Sequence, residues 1–361
     1  MNEAAALRRG WTTGACATAA AKAAYTALLC GSFPDPVQIQ LPRGRTPSFS
    51  LTRCGLDGVR SSAAVTKDAG DDPDVTHCAV ITATVSLAGE GAGVVFRAGP
   101  GVGTVTKPGL PLAVGEPAIN PVPRRLMRAA IAEVADAHGD PGDVCIEISV
   151  DDGAEIATRT WNPRLGILGG LSILGTTGVV IPYSCSAWID SIRRGVDVAR
   201  AAGRDHVAGC TGSTSERTVA KLHGLPADAL LDMGDFVGAL LKYLAGNPVP
   251  RLTIGGGIGK ISKLANGFLD LHSGRSQVDL SAMAELAGQA GASRAVAAGI
   301  RGANTALGAL EAAQRAALPL GDLVAERARD AAREVLGGVG VAVDVVVIDR
   351  GGSVVGRCDP K

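Results

Sequence analysis

The sequence predicts an α+β N-terminal domain joined to a Rossmann-like α/β C-terminal domain, and three observations carry that expectation. Before residue 152, one helical stretch is followed by several consecutive strand-like runs and then a second helix, the order of an α+β layer arrangement. Past Asp151–Asp152–Gly153, strands and helices come to alternate, the rhythm of a parallel sheet with crossover helices. The turns that close several of these later strands are rich in glycine. The domains are accordingly taken as 1–152 and 153–361, the second carrying the glycine-rich turns.

Thr12 or Thr13 caps the first helix, over 15–29, which is built of strong helix formers and stopped by Gly31 and Pro34. Strand-like runs at 37–41, 48–52, 59–66, 79–87 and 94–98 are bounded by Pro, Gly and Asp. Residues 99–123, with repeated Gly and Pro, read as a loop before a helix over 124–137 and a strand over 144–150. Residues 165–189 lack Asp, Glu, Lys and Arg, and as a helix would span a bilayer core of ~30 Å. Gly166, Gly169, Gly170, Gly175, Gly178 and Pro182 interrupt that stretch, so it reads as buried turns and strands. A helix over 185–202 leads to strand 206–211, helix 213–222, strand 229–233, helix 236–245, strand 251–254 and helix 258–266. Helices near 282–290, 304–317 and 323–336 precede a final strand over 342–348.

The 361 residues suffice for two domains of ~100–200 residues each. With 46% hydrophobic residues, 3% aromatics and 49 glycines, the core must rest on small aliphatic contacts. The 35 basic residues balance 35 acidic ones, which removes any global attraction to nucleic acid or an anionic membrane. None of the eight cysteines lies within four residues of another, so no C-x-x-C half-site for zinc, iron–sulfur or redox chemistry exists. Arg8–Arg9 is not followed by an apolar signal core, because Thr12, Thr13, Gly14 and Lys22 interrupt it. A cytoplasmic protein with reduced thiols is expected, compatible with a homo-oligomer.

Familiar catalytic signatures are absent. For a Walker A loop, 255–260 lacks Gly at Ile254 and Ser or Thr at Ile261, and for a G-x-G-x-x-G turn it lacks Gly at Lys260. There is no G-x-S-x-G and no H-E-x-x-H. What remains are the glycine-rich turns at 209–213, 233–235 and 255–260, placed where open α/β sheets bind ligands. A second set is cationic: Arg8, Arg9, Lys107, Arg124, Arg125, Arg164, Lys260 and Lys263, in settings suited either to solvated surface or to carboxylate recognition. The acidic loop 68–74 with His77 suits an exposed turn better than a metal site, since no second ligand motif accompanies it.

Several strings in order resemble the CbiD family, the C1-methyltransferases of cobalt-early vitamin B12 biosynthesis. They are LRRGWTTGAC at 7–16, GDDPDVTH at 70–77, GVGTVTKPGL at 101–110, GEPAINP at 115–121, NPRLGI at 162–167, GLSILGTTG at 170–178, MGDF at 233–236 and GKISKLA at 259–265. Each is short, but the series is collinear. The sequence departs from the family pattern at Ile181 and Gly256, so neither is given a catalytic role. The resemblance implies methyl transfer from S-adenosylmethionine to C1 of cobalt-precorrin-5B, giving cobalt-precorrin-6A. Cobalt arrives inside the tetrapyrrole substrate, so no protein metal site is implied.

On this reading the cofactor residues are Gly209, Thr211, Gly212, Ser213, Asp232, Asp235, Gly255, Gly257 and Gly259. The tetrapyrrole, with many acetate and propionate side chains, is expected in an inter-domain cleft lined by Thr12, Thr13, Lys107 and Arg164, with Arg9, Lys260 and Lys263 as further substrate contacts. If a ring proton must be removed, Asp72, His77 and Asp235 are the candidate bases. Two rivals are a nucleotide-dependent synthase using 255–260 as a phosphate cradle and a non-catalytic tetrapyrrole carrier; neither explains the ordered strings.

Overall fold

The computed structural model describes residues 7–360 and divides into two compact units, Met1–Cys185 and Ser186–Lys361, each with its own hydrophobic core. The first unit opens with β1 (Gly10–Trp11) and helix α1 (Thr13–Cys30). Alanine supplies eight of the 18 residues of α1, and most of the helix is buried, as expected for a helix with little polar surface. Thr12 Oγ1 accepts from the Ala15 N–H at 3.2 Å to start α1, and Gly31, at φ 76, ends it in the left-handed conformation glycine adopts without penalty.

Strands β2 (Arg53–Leu56), β3 (Arg60–Thr66), β4 (Val80–Leu87) and β5 (Val94–Ala98) precede helix α2 (Pro121–His138) and strand β6 (Val144–Val150). They form one sheet in the order β2-β3-β4-β6-β5, antiparallel except for the β6–β5 pair. In β6, Val144, Ile146, Ile148 and Val150 are buried while the alternate residues are not, the period of two that a half-covered sheet imposes. Helix α1 packs on β3 and β4 and against α2.

The expected runs at 37–41 and 48–52 shrink to a two-residue ladder, Val37–Gln38 with Ser48–Phe49. The edge strand β2 went unforeseen because all its residues are exposed, leaving no apolar alternation to detect. Residues 153–185, assigned by sequence to the second domain, fold with the first. Gly170–Leu171 pairs with Gly101–Val102, Ile167–Leu168 with Thr104–Val105, and β7 (Val179–Val180) with β1. No helix among the described residues is long and apolar enough to cross a membrane.

The second unit runs α3 (Ser186–Ala201), β8 (His206–Cys210), α4 (Ser213–His223), β9 (Leu230–Asp232), α5 (Val237–Gly246), β10 (Arg251–Gly256) and α6 (Ile258–Ala265). Helices α7 (Leu280–Gln289), α8 (Arg294–Arg301), α9 (Ala306–Arg315) and α10 (Leu320–Leu336) then lead to β11 (Ala342–Ile348) and β12 (Val354–Cys358). The sheet order is β9-β8-β10-β11-β12, parallel throughout except for the edge strand β12, which the sequence reading did not foresee. Both faces are covered. Val343, Val345 and Val347 join the large core with α5, α6 and α10, whereas Val346 and Ile348 join Ala208, Cys210 and Val219 of α4 on the other face.

A polar network lies near the amino ends of these strands. Buried Asp344 accepts from Arg251 Nε at 3.0 Å and from Thr253 Oγ1 at 2.9 Å, and Thr253 Oγ1 also meets His206 Nε2 at 2.8 Å. Burial, then the Arg251 charge, pushes His206 down to about 4, against the attraction of Asp344 and Asp205; His223, 5.1 Å away ring to ring, is lowered chiefly by burial. The unfolded chain takes up the His206 proton near 6.5 and the folded chain only near 4, so stability falls as pH drops through that window and levels below it. His206→Gln is expected to flatten this slope by about 1 kcal/mol between pH 7 and 4.5, a figure discounted for solvent screening of a partly exposed ring. Urea midpoints at the two pH values measure it; an unchanged slope would discount His206 as the titrating group.

Candidate functional site

Because β8, β9, β10 and β11 are parallel, their carboxyl ends bring four turns to one edge of the second unit. The turns are tied together. Thr211 N–H donates to Gly255 O at 3.0 Å, and Met233 N–H to Cys210 O at 2.9 Å. Lys260 Nζ donates to Thr211 O at 3.2 Å and lies 3.0 Å from Asp235 Oδ1, so one ammonium bridges the turns after β8, β9 and β10. Asp232 shapes its own turn by accepting from Gly234 N–H at 3.2 Å, and its carbonyl accepts from Trp188 Nε1 at 2.9 Å.

The structure sorts the predicted cofactor glycines by what surrounds them. A Cβ at Gly209 would lie 2.3 Å from Leu240 Cδ2, and one at Gly255 would lie 2.7 Å from Val219 Cγ2. Glycine at these two positions lets α5 and α4 approach opposite faces of the sheet, a packing role that holds with or without a ligand. At Gly257 the nearest atom to an added Cβ is 3.8 Å away, and at Gly212 nothing lies within 4 Å. Gly257 and Gly259 line a cavity of about 530 Å³, with Asn304, Thr305, Asp349 and Arg350 on other walls. That volume lies in the range of small-molecule sites, ~300–1,000 Å³.

Asn304, Asp349 and Arg350 were missed by sequence reasoning. Asp349 and Arg350 follow β11 directly and precede Gly351–Gly352, so the rule used for the earlier strand ends would have found them. Lys263 lines the same cavity, but its side chain is buried and its ammonium donates to Leu271 O at 2.8 Å. That bond braces the segment after α6.

In the first unit, the hydroxyls of Thr12 and Thr13 are engaged by backbone. Thr12 caps α1, while Thr13 Oγ1 accepts from Leu174 N–H at 2.9 Å and holds the 172–174 segment against the helix start. Both threonines are buried. The stem of Lys107 lies over Gly166, and the Arg164 guanidinium stacks 5.0 Å from the Trp161 ring centre. The fold thus brings Lys107 and Arg164 to one loop pair.

The acidic loop is anchored by a residue the sequence reading passed over. Lys67, only 2% exposed, pairs with Asp74 at 2.7 Å. Burial alone would raise the Asp74 carboxyl, but the Lys67 charge and hydrogen bonds from Thr76 outweigh it and hold it below the usual carboxylate range. Arg8 grips Asp68 and, with the Gly70 N–H, holds that carboxyl low as well. Asp72 Oδ1 accepts from the Tyr183 N–H at 2.8 Å. His77 Nδ1 accepts from the Ala69 N–H at 3.1 Å, so the neutral ring carries its proton on Nε2 and presents a donor there. Arg9 is exposed and forms a backbone bridge to Gly70.

Among the described residues, no group of three or more His, Cys, Asp and Glu is gathered as for a metal ion.

The family profile CbiD matches residues 1–182, and the profile for the CbiD C-terminal domain matches residues 270–359. A protein of Paramagnetospirillum magneticum named cobalt-precorrin-5B C(1)-methyltransferase is 62% identical over 356 residues, 99% of either chain. A protein of the same name from Rhodospirillum rubrum is 62% identical, covering 99% of this chain and 98% of its own. One from Halorhodospira halophila is 57% identical, covering 98% and 94%. A crystal structure of a cobalamin biosynthesis protein (CbiD) from Archaeoglobus fulgidus aligns at a TM-score of 0.41 and 27% identity, covering 70% of this chain and 77% of that one. Matched by its family's profiles in both units and by relatives over nearly its whole length, the chain belongs to the CbiD family.

Proposed function

We propose that this protein transfers a methyl group from S-adenosylmethionine to C1 of cobalt-precorrin-5B, giving cobalt-precorrin-6A, in cobalamin biosynthesis. The observation that carries this reading is the end-to-end similarity to relatives named for that methylation. The second unit supports it as a Rossmann-like layout. Its strand order reverses direction between β8 and β10, and in such sheets nucleoside ligands settle at the carboxyl ends on either side of the reversal. Those ends carry the turns 211–213 and 257–260, and the second of them opens onto the cavity of about 530 Å³.

The donor, when bound, supplies a methyl group on a positively charged sulfur, so no covalent nucleophile is asked of the protein. The chain's own task is alignment and exclusion of water, and alignment can be worth ~7–11 kcal/mol. Gly257 and Gly259 would let the backbone approach the donor, with Asn304 and Asp349 offering hydrogen-bond partners from the other walls. Lys260, bridging Thr211 and Asp235, keeps the turns in register around it. Lys107, Arg164 and Arg9 are proposed to receive substrate carboxylates, for which arginine's paired donors suit best. This reading puts the protein in the cytoplasm, acting on a small tetrapyrrole rather than on nucleic acid or membrane.

The test is mass spectrometry of purified cobalt-precorrin-5B incubated with the protein and isotopically labelled S-adenosylmethionine. One labelled methyl on the macrocycle is the expected outcome; an unchanged macrocycle mass with active, folded protein defeats the reading.

A further inference from the structure

Tyr183 is 67% exposed, one of three tyrosines in a chain that is 3% aromatic. It occupies the third position of a tight turn over 181–184, closed by the Ser184 N–H donating to Ile181 O at 3.1 Å, with Pro182 second. Its φ is +57, the left-handed conformation that a type II turn demands at this position and that glycine adopts most easily. A tyrosine stands where glycine would be less strained, and Asp72 Oδ1, 2.8 Å from its N–H, holds it there from the acidic loop. A costly backbone conformation retained under an exposed ring points toward use of the ring.

Its neighbours give that use a chemistry. In the β1–β7 ladder, Gly10 faces Val180 and Trp11 faces Val179; one further step in that register sets Arg9 alongside Ile181. On its other side Arg9 bridges to Gly70. The backbone thus sets Tyr183, the exposed Ile181 and Arg9, which is exposed and has no ion pair among the described residues, at neighbouring positions of this ladder and turn. Apolar area beside a cation is complementary to a flat, conjugated macrocycle edged with carboxylates.

We propose that Tyr183 is a platform on which the face of the cobalt-precorrin-5B macrocycle rests, with Arg9 receiving a carboxylate and Asp72 acting as the positioning residue that keeps the ring presented. The proposal rests on the substrate assigned above and deepens it. Asp72 becomes a group that acts through Tyr183.

The experiment measures cobalt-precorrin-5B binding by its visible absorption change, S-adenosylhomocysteine binding by calorimetry, and melting temperature, in the full-length protein and its variants. Tyr183→Gly is expected to weaken macrocycle binding at least ~10-fold and to leave adenosylhomocysteine affinity within about twofold. Its melting temperature should be equal or higher, because glycine relieves the turn. Tyr183→Phe should bind nearly as the wild type, since stacking does not need the hydroxyl. Asp72→Ala should weaken binding several-fold, and Asp72→Asn, whose amide oxygen still accepts from Tyr183 N–H, should restore most of it. Wild-type affinity in Tyr183→Gly would overturn the platform while leaving the methyl-transfer reading intact, as would a variant that melts lower and loses both ligands alike. A wild-type protein that binds no macrocycle would instead bring down the substrate assignment, and the platform with it.

Discussion

Gly257→Val is expected to lower S-adenosylhomocysteine affinity at least ~100-fold, or ~2.7 kcal/mol, while moving the melting temperature by less than ~2 °C. The two effects separate because of where Gly257 stands. Its φ of −71 and ψ of 153 are extended values that a β-branched residue adopts readily, and the nearest atom to an added Cβ is 3.8 Å away. Because Gly257 lines the cavity, the new side chain is expected to take volume from the ligand there. Calorimetric titration of the variant decides the matter. Undiminished affinity would move the donor away from the 257–260 turn, whatever the fate of the methyl-transfer assay. Gly209→Ala would give no such information, because its Cβ would meet Leu240 at 2.3 Å and disturb the fold itself.

Lys67→Met is expected to cost about 3 kcal/mol of stability, the second large effect, for a reason lodged in the first unit. It removes the cation that neutralises Asp74, whose side chain is only 24% exposed. The cost should fall at the low end for a broken buried pair, since Asp74 keeps its bonds from Thr76 N–H and Oγ1, both 2.7 Å. The pH dependence gives a second signature. Asp74 in the folded protein ionises below its ordinary value near 3.8, so its contribution is present above that value and is lost as pH falls through the folded pKa. Lys67→Met should shrink that contribution and bring acid unfolding to a higher pH. Adding Asp74→Asn, which removes the stranded charge but keeps an oxygen for Thr76, should recover more than half of the loss. Urea unfolding of the single and double variants measures all of this; a single-variant loss below ~1 kcal/mol would mean the pair is solvated in effect.

Local patterns were legible where they repeated. The alternation of Val144, Ile146, Ile148 and Val150 located β6 to the residue, and the Thr12–Thr13 pair with Gly31 marked the ends of α1, the structure choosing Thr12 as the cap. The strand–helix rhythm after residue 200 located β8 to β11 and the glycine turns that follow the first three of them. The fully exposed β2 and the antiparallel edge β12 escaped, since neither carries a strong burial pattern. The break at 152 was misplaced for a related reason. Turn chemistry at Asp151–Gly153 shows that the chain bends, but only pairing shows that 167–180 returns to β1 and to 101–105.

What the sequence determined by itself was the inventory: which segments are helical or extended, where glycine gathers, and which carboxylates and cations are available. The tertiary structure decided how each was spent. It set Lys263 to brace Leu271, the Thr13 hydroxyl to hold Leu174, Lys67 to neutralise Asp74, and Gly209 and Gly255 to admit helices, while leaving Gly257 beside open space. The reason is distance along the chain. Caps and periodicities act within a few residues, whereas Thr13 and Leu174 are 161 positions apart, Asp72 and Tyr183 are 111 apart, and Lys260 and Thr211 are 49 apart. Contacts of that span are fixed by sheet order and register, which bring together groups that no local pattern relates.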